Sequence, residues 1–146
     1  IANSRLKVKF FSKYVDYPVI SDDSGLSIKA LNNKPGIHSA RLAKKHGSFL
    51  KAMKFILKKM KKIKNRSAVF VCSLSYYDGS GKITSVEGKL KGNISLKIKG
   101  SNGFGYDPIF IPLKKKITFG QMAKLKKIKM DHRFLAFKQL KKKTKI

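Results

Sequence analysis

Ser67-Ala68-Val69-Phe70-Val71-Cys72-Ser73-Leu74-Ser75-Tyr76-Tyr77 runs into Asp78-Gly79-Ser80-Gly81 and then into Lys82-Ile83-Thr84-Ser85-Val86-Glu87-Gly88-Lys89-Leu90. Both flanks are rich in β-branched and aromatic residues, and the four residues between them are turn formers. The pattern predicts an antiparallel hairpin. The turn superficially resembles a phosphate loop, but it lacks the G-x-x-x-x-G-K-[ST] spacing and lies between strands. Working towards the N-terminus, residues 48–64 read as an amphipathic helix capped by Ser48. Phe49, Leu50, Met53, Ile56, Leu57, Met60 and Ile63 fall on one stripe. Residues 17–21 read as a short strand ending at Asp22-Asp23-Ser24-Gly25. Residues 26–31 read as a second strand, and residues 32–36 as a turn. The first fifteen residues carry Leu6, Phe10, Phe11 and Val15 at helical spacing, with Asn3 or Ser4 as the cap. Towards the C-terminus, residues 94–98 alternate again. A glycine-rich stretch at 100–105 leads into an apolar one at 106–112. Residues 133–143 close the chain as a helix with Phe134, Phe137 and Leu140 inward. Helices and hairpins together give an α/β or α+β class with a mixed sheet, in one domain over residues 1–146.

The chain has 146 residues, 35 Lys+Arg against 7 Asp+Glu, and a net charge of +28. Its 42% hydrophobic content is enough for a core. No apolar run approaches the roughly 20 residues of a membrane span. A single cysteine, Cys72, cannot form an internal disulfide. With no signal-peptide pattern at the start, a cytoplasmic protein is expected. The charge invites a nucleic-acid reading, but only Arg5, Arg41, Arg66 and Arg133 are arginines. Lysine is a hydrated point charge, poorly suited to reading bases. Non-specific, salt-sensitive contact with nucleic acid follows from the charge alone. A basic nucleic-acid-binding module on a decayed scaffold is therefore the rival expectation.

The few acids are more telling. Asp22 and Asp23 form the only adjacent pair, and carboxylates suit a hard cation such as Mg²⁺ that also binds phosphates. Gly100-Ser101-Asn102-Gly103-Phe104-Gly105-Tyr106-Asp107 is not the dinucleotide fingerprint. Its glycines let backbone approach a ligand, and Phe104 or Tyr106 could stack on a base. Lys127 and Asp131-His132-Arg133 place donors before the last helix, suited to carbonyl or phosphate oxygens.

In order along the chain, these segments resemble the inosine/xanthosine triphosphate pyrophosphatases. The residues that carry the resemblance include Ser21-Asp22-Asp23-Ser24-Gly25-Leu26, Pro35-Gly36-Ile37-His38-Ser39-Ala40-Arg41 and Glu87-Gly88. They continue with Gly103-Phe104-Gly105-Tyr106-Asp107-Pro108-Ile109-Phe110, Thr118-Phe119, Lys127 and His132-Arg133. The resemblance implies an elongated domain with a long mixed sheet, a central cleft and a homodimer. It implies Mg²⁺-dependent hydrolysis of a non-standard purine nucleoside triphosphate to the monophosphate and pyrophosphate. By position, Asp23 would be the general base and a metal ligand, with Asp22 beside it at the metal. Ser24, Phe104, Gly105, Tyr106, Asp107, Lys127, His132 and Arg133 would hold the substrate, with Phe104 stacking on the purine. An N-terminal strand, a phosphate loop and a metal-binding Glu typical of the family are not among these residues, and Ala2 stands where the Glu would be. The expectation is a domain truncated at its N-terminus. His38, Gln121 and Asp131 replace a usual Tyr, Glu and Ser.

Overall fold

The computed structural model describes residues 1–144 and 146. Its elements are α1 (Ala2–Phe11), β1 (Val19–Ile28), β2 (Lys34–Gly36), α2 (Ser39–His46), α3 (Phe49–Lys59), β3 (Ser67–Tyr77), β4 (Ile83–Ile94), β5 (Phe110–Pro112), α4 (Lys124–Lys127) and α5 (His132–Lys143). The strands form one sheet in the order β2-β1-β3-β4-β5. All four pairings are antiparallel, so the mixed sheet expected from the sequence is replaced by an antiparallel one. The hairpin forms as expected, and Asp78 Oδ1 organises its turn by accepting from the Ser80 and Lys82 amides.

β1 overturns a second expectation. It does not break at Asp22-Asp23-Ser24-Gly25 but runs through it, paired residue by residue with β3. Successive side chains of a strand point to opposite faces. Ser21 and Asp23 therefore face α1, where Ser21 Oγ donates to the Ser4 carbonyl and Asn3 Nδ2 donates to Asp23. Asp22, Ser24, Leu26 and Ile28 face the other side.

That second face carries two apolar clusters. Leu26, Ile28, Ala68 and Phe70 pack with Met53, Ile56 and Met60 of the α3 region and with Ile109, Phe110 and Phe119. Cys72, Leu74 and Val86 pack with Ala136 and Leu140 of α5. α3 is capped as expected, with Ser48 Oγ accepting from the Lys51 amide at 3.1 Å. α5 is capped by Asp131, whose Oδ1 accepts from the Phe134 amide at 2.9 Å. Phe134 and Phe137 are half exposed rather than inward, and Ala136 takes the core position. α1 departs furthest from its periodicity. Leu6, Phe10 and Phe11 are exposed, while Ser4 and Val8 are buried. The sheet beneath α1 is lined with serines, and Ser4 Oγ bonds Ser75 Oγ at 2.9 Å. A serine-lined surface selects Ser4 over the aromatic side chains. Residues 95–98 form no strand.

α5 sits on β4 with no side chain between them at Gly88. A Cβ there would overlap the Ala136 nitrogen and the His132 carbonyl oxygen, both backbone atoms that cannot step aside. Gly88→Ala should therefore lift the first turn of α5 and lower stability by about 1–3 kcal/mol. Urea unfolding checks this; an unchanged midpoint would show that α5 does not depend on the close approach.

Candidate functional site

A cleft opens beside the first cluster and the start of α5. It has a volume of about 240 Å³, and its walls include Asp22, Asp23, Ser24, Phe104, His132 and Arg133. Leu26 and Phe70 line it too, as do Gly105, Tyr106 and Asp107. Residues from four distant stretches of sequence thus meet in one hollow.

Asp23 is partly exposed. Lys7 Nζ lies 3.6 Å from its Oδ1, and Asn3 Nδ2 donates to Oδ2 at 3.2 Å. Lys7 and Asn3 are one helical turn apart on α1, which puts both beside the same carboxylate. The sequence reading had no role for Lys7. Its i, i+4 spacing from Asn3 was the available signal, but nothing local linked it to Asp23. Asp22 lies elsewhere: its Oδ2 accepts from Arg133 Nε at 3.2 Å and Nη2 at 3.1 Å. The alternation of β1 separates the two acids, so Asp22 does not join Asp23 at a shared ligand position. Ser24 Oγ lies 3.4 Å from Asp22 Oδ2.

Phe104 is 56% exposed, at the tip of the glycine-rich loop. Arg133 Cζ lies 4.6 Å from its ring centroid and Lys127 Nζ 5.1 Å. Both are cation–π distances. The ring stands between the cleft and a second hollow of about 540 Å³ bordered by Asn102, Met122 and Ile128. Tyr106 and Asp107, expected as part of the ligand wall, are 3% and 1% exposed. Tyr106 donates to the Ser39 carbonyl at 2.8 Å, and its ring meets Phe49 edge-on at 5.2 Å. Burial pushes its hydroxyl up to about 12. Asp107 accepts from the Phe104 amide at 2.9 Å and pairs with Lys127 at 2.8 Å. Burial pushes the Asp107 carboxyl up, against the pull of Lys127. Lys127 is buried as well and lies 3.8 Å from Asp131. Gly103 permits this arrangement, because it has φ +75° and a Cβ there would overlap the Asp107 carboxylate. The Asp107–Lys127–Asp131 cluster is thus a buried brace that holds Phe104 in place. Gln121, in place of the family's usual Glu, closes a capping box with Thr118, exchanging bonds at 3.1 and 3.2 Å.

His132 is buried and stacks on Phe70, with centroids 4.7 Å apart and an 11° interplanar angle. Its Nδ1 has no protein partner among the described residues. Burial, then the neighbouring Arg133, lowers its pKa to about 4, so it is neutral at pH 7. An ordinary histidine titrates near 6.5. Between about pH 6.5 and 4 the unfolded chain therefore binds a proton that the folded chain refuses. The folded state loses stability as pH falls through that window, on the order of 3 kcal/mol by its end. His132→Gln should flatten this segment of the stability–pH curve. Parallel curves for the two proteins would show that His132 is not the group responsible.

Residues 1–143 match the Ham1 family model. The chain is 43% identical over 143 residues to the dITP/XTP pyrophosphatase of Dictyoglomus thermophilum, covering 95% of this chain and 69% of that protein. It is 40% identical to the dITP/XTP pyrophosphatase of Clostridium tetani, covering 88% of this chain and 64% of that one. The Staphylococcus aureus Ham1 protein superposes with a TM-score of 0.88 at 37% identity, over 96% of this chain and 73% of that one. A Mycobacterium abscessus dITP/XTP pyrophosphatase does so with 0.79 at 34%, over 95% and 72%. The chain spans about two thirds to three quarters of these relatives. A family model that matches nearly from end to end, and solved relatives that share the fold at more than 30% identity, lead to one conclusion: the chain belongs to the Ham1 family.

Proposed function

We propose that this chain hydrolyses non-standard purine nucleoside triphosphates, such as inosine and xanthosine triphosphates and their deoxy forms, to the monophosphate and pyrophosphate. The observation that carries the reading is the placement of Phe104 and Arg133 at one wall of the cleft and Asp23 at another. A purine stacked on Phe104 gains roughly 1–3 kcal/mol from the contact. Its 6-keto oxygen accepts from the guanidinium beside the ring. The 6-amino group of adenine would set donor against donor and leave a buried bond unmade.

Asp23 is the general base in this reading. It takes a proton from a water whose oxygen attacks the α-phosphorus, and the bond to the bridging oxygen of the pyrophosphate breaks. Lys7, already beside Asp23, offers its charge to the phosphates. Among the described residues there is no cluster of three His, Cys, Asp or Glu side chains that could enclose a metal ion. A single accessible carboxylate is nonetheless in keeping with Mg²⁺, which retains several waters and binds through one or two carboxylates plus substrate phosphates. Asp23 would hold it, and the ion when bound would supply charge stabilisation at the phosphates. The substrate pool goes with a cytoplasmic location and the resemblance with a homodimer, and both belong to the proposal.

Two experiments test this reading. Asp23→Asn should abolish pyrophosphate release from inosine triphosphate in Mg²⁺ while leaving the thermal midpoint in place. Unchanged turnover would remove Asp23 from the chemistry. Phe104→Ala should weaken inosine nucleotide binding by about 1–3 kcal/mol, or roughly 5- to 150-fold. Calorimetry showing parental affinity would exclude the stack.

A further inference from the structure

Asp22 has no part in the chemistry described above, yet it makes the longest-range polar pairing in the site. Its Oδ2 holds Arg133 through both Nε and Nη2, across a sequence separation of 111 residues. Arg133 in turn lies against the Phe104 ring. Asp22, Arg133 and Phe104 form a chain from the sheet to the loop that runs along the wall of the cleft.

We propose that Asp22 is the positioning residue for Arg133, fixing its guanidinium against Phe104 so that its free N–H groups face the 6-position of a stacked purine. The inference rests on the proposed substrate class. Its physical grounds are specific. A guanidinium has five N–H donors. Asp22 engages donors on Nε and Nη2, which leaves Nη1 and the second hydrogen of Nη2 for a ligand. An arginine side chain has several rotatable bonds, and only a fixed one can discriminate a keto oxygen from an amino group without first being ordered by the ligand. Arg133 is the first-turn neighbour of His132 on α5, so its backbone is rigid. Without Asp22 the head group would be free to swing into solvent, because both partners are partly exposed. Exposed pairs of this kind add little to folding stability. The role is therefore legible in ligand discrimination rather than in the melting temperature. The alternation of β1 supports the same division of labour, with Asp23 on the α1 face and Asp22 on the α5 face.

The test uses the full chain, first without nucleotide and then with inosine and adenosine 5′-monophosphates in the absence of divalent cations. In the free protein, the Arg133 Nε–H resonance should be dispersed and protected, and Asp22→Asn should move it to the position of a solvent-exposed arginine. Asp22→Asn should weaken inosine monophosphate binding about three- to tenfold, within the range for a charged but solvent-exposed bond. It should also narrow the inosine-over-adenosine ratio. Asp22→Glu should restore part of that ratio. In a double-mutant cycle, Asp22→Asn should add nothing to Arg133→Lys. Parental inosine affinity in Asp22→Asn, additive losses in the cycle, or an Arg133 resonance already solvent-like in the parent would each overturn the proposal. So would a raised Mg²⁺ requirement for turnover in Asp22→Asn with unaltered base preference, which would make Asp22 a metal ligand. A parent that binds both monophosphates equally would remove the substrate reading instead. The resonance would still decide whether Asp22 holds Arg133.

Discussion

Everything in the cleft depends on how closely α5 approaches the sheet. Ser24, Cys72 and Gly88 form one cross-strand row over β1, β3 and β4. The first turn of α5 rests on Gly88, with the His132 carbonyl and Ala136 nitrogen against it. At that height His132 stacks on Phe70 and Arg133 reaches Asp22. A side chain at position 88 would hold the helix away by a methyl group's width, and both contacts would be lost together. Packed interiors do not absorb such a change gradually. The missing Cβ at 88 is thus a condition of the cleft's geometry, although Gly88 does not line the cleft.

Phe104, on the same wall as Arg133, is held by charge. Lys127 lies between Asp107 and Asp131 with all three buried. Such a cluster is poor evidence of net stability, because desolvation offsets much of the attraction. What it does provide is direction. Asp107 accepts the Phe104 amide while it binds Lys127, and the same Lys127 lies over the Phe104 ring. An apolar core at this point would fill the space but leave the loop free to choose among conformers. The buried acid and base fix the Phe104 ring at the cleft while leaving it exposed.

How much of this was legible in the sequence varied with how local the determining contacts are. The β3–β4 hairpin and the Ser48 cap follow from a few neighbouring residues, and both are readable; the last helix is readable too, but not its Asp131 cap. In the sequence, Asp22-Asp23-Ser24-Gly25 reads as a strand end because it is polar and closes on glycine. β1 continues because each face has its own partners, α1 on one side and Arg133 on the other, and neither is near in sequence. α1 misled for the converse reason: its apolar stripe is real, but the described surface beneath it is serine, which buries Ser4. α2 went unseen because Ser39-Ala40-Arg41-Leu42-Ala43-Lys44-Lys45-His46 offers only a short apolar face. The segments that the resemblance names do meet at the cleft, but a resemblance does not say which of their side chains are exposed there. Phe104 is open to it, whereas Tyr106, Asp107 and Lys127 are turned inward as supports.

The net charge of +28 sets a final constraint. Among the described residues, five of the seven acids, namely Asp22, Asp23, Glu87, Asp107 and Asp131, have a cation within ion-pair distance. The remaining excess is mostly surface lysine. A field of that sign draws in any nucleoside triphosphate and is damped by salt. It cannot discriminate among purines, because inosine and adenosine triphosphates carry the same phosphate charge. Selectivity is a difference between two affinities, so it must come from contacts that differ between the two bases. Under the proposed function, those contacts would be the Phe104 ring and the donors fixed beside it. In that reading the discriminating donors would be those of Arg133, held by Asp22 beside the ring. Lys127, which also lies over the ring, is a point charge without the planar donor fork of a guanidinium.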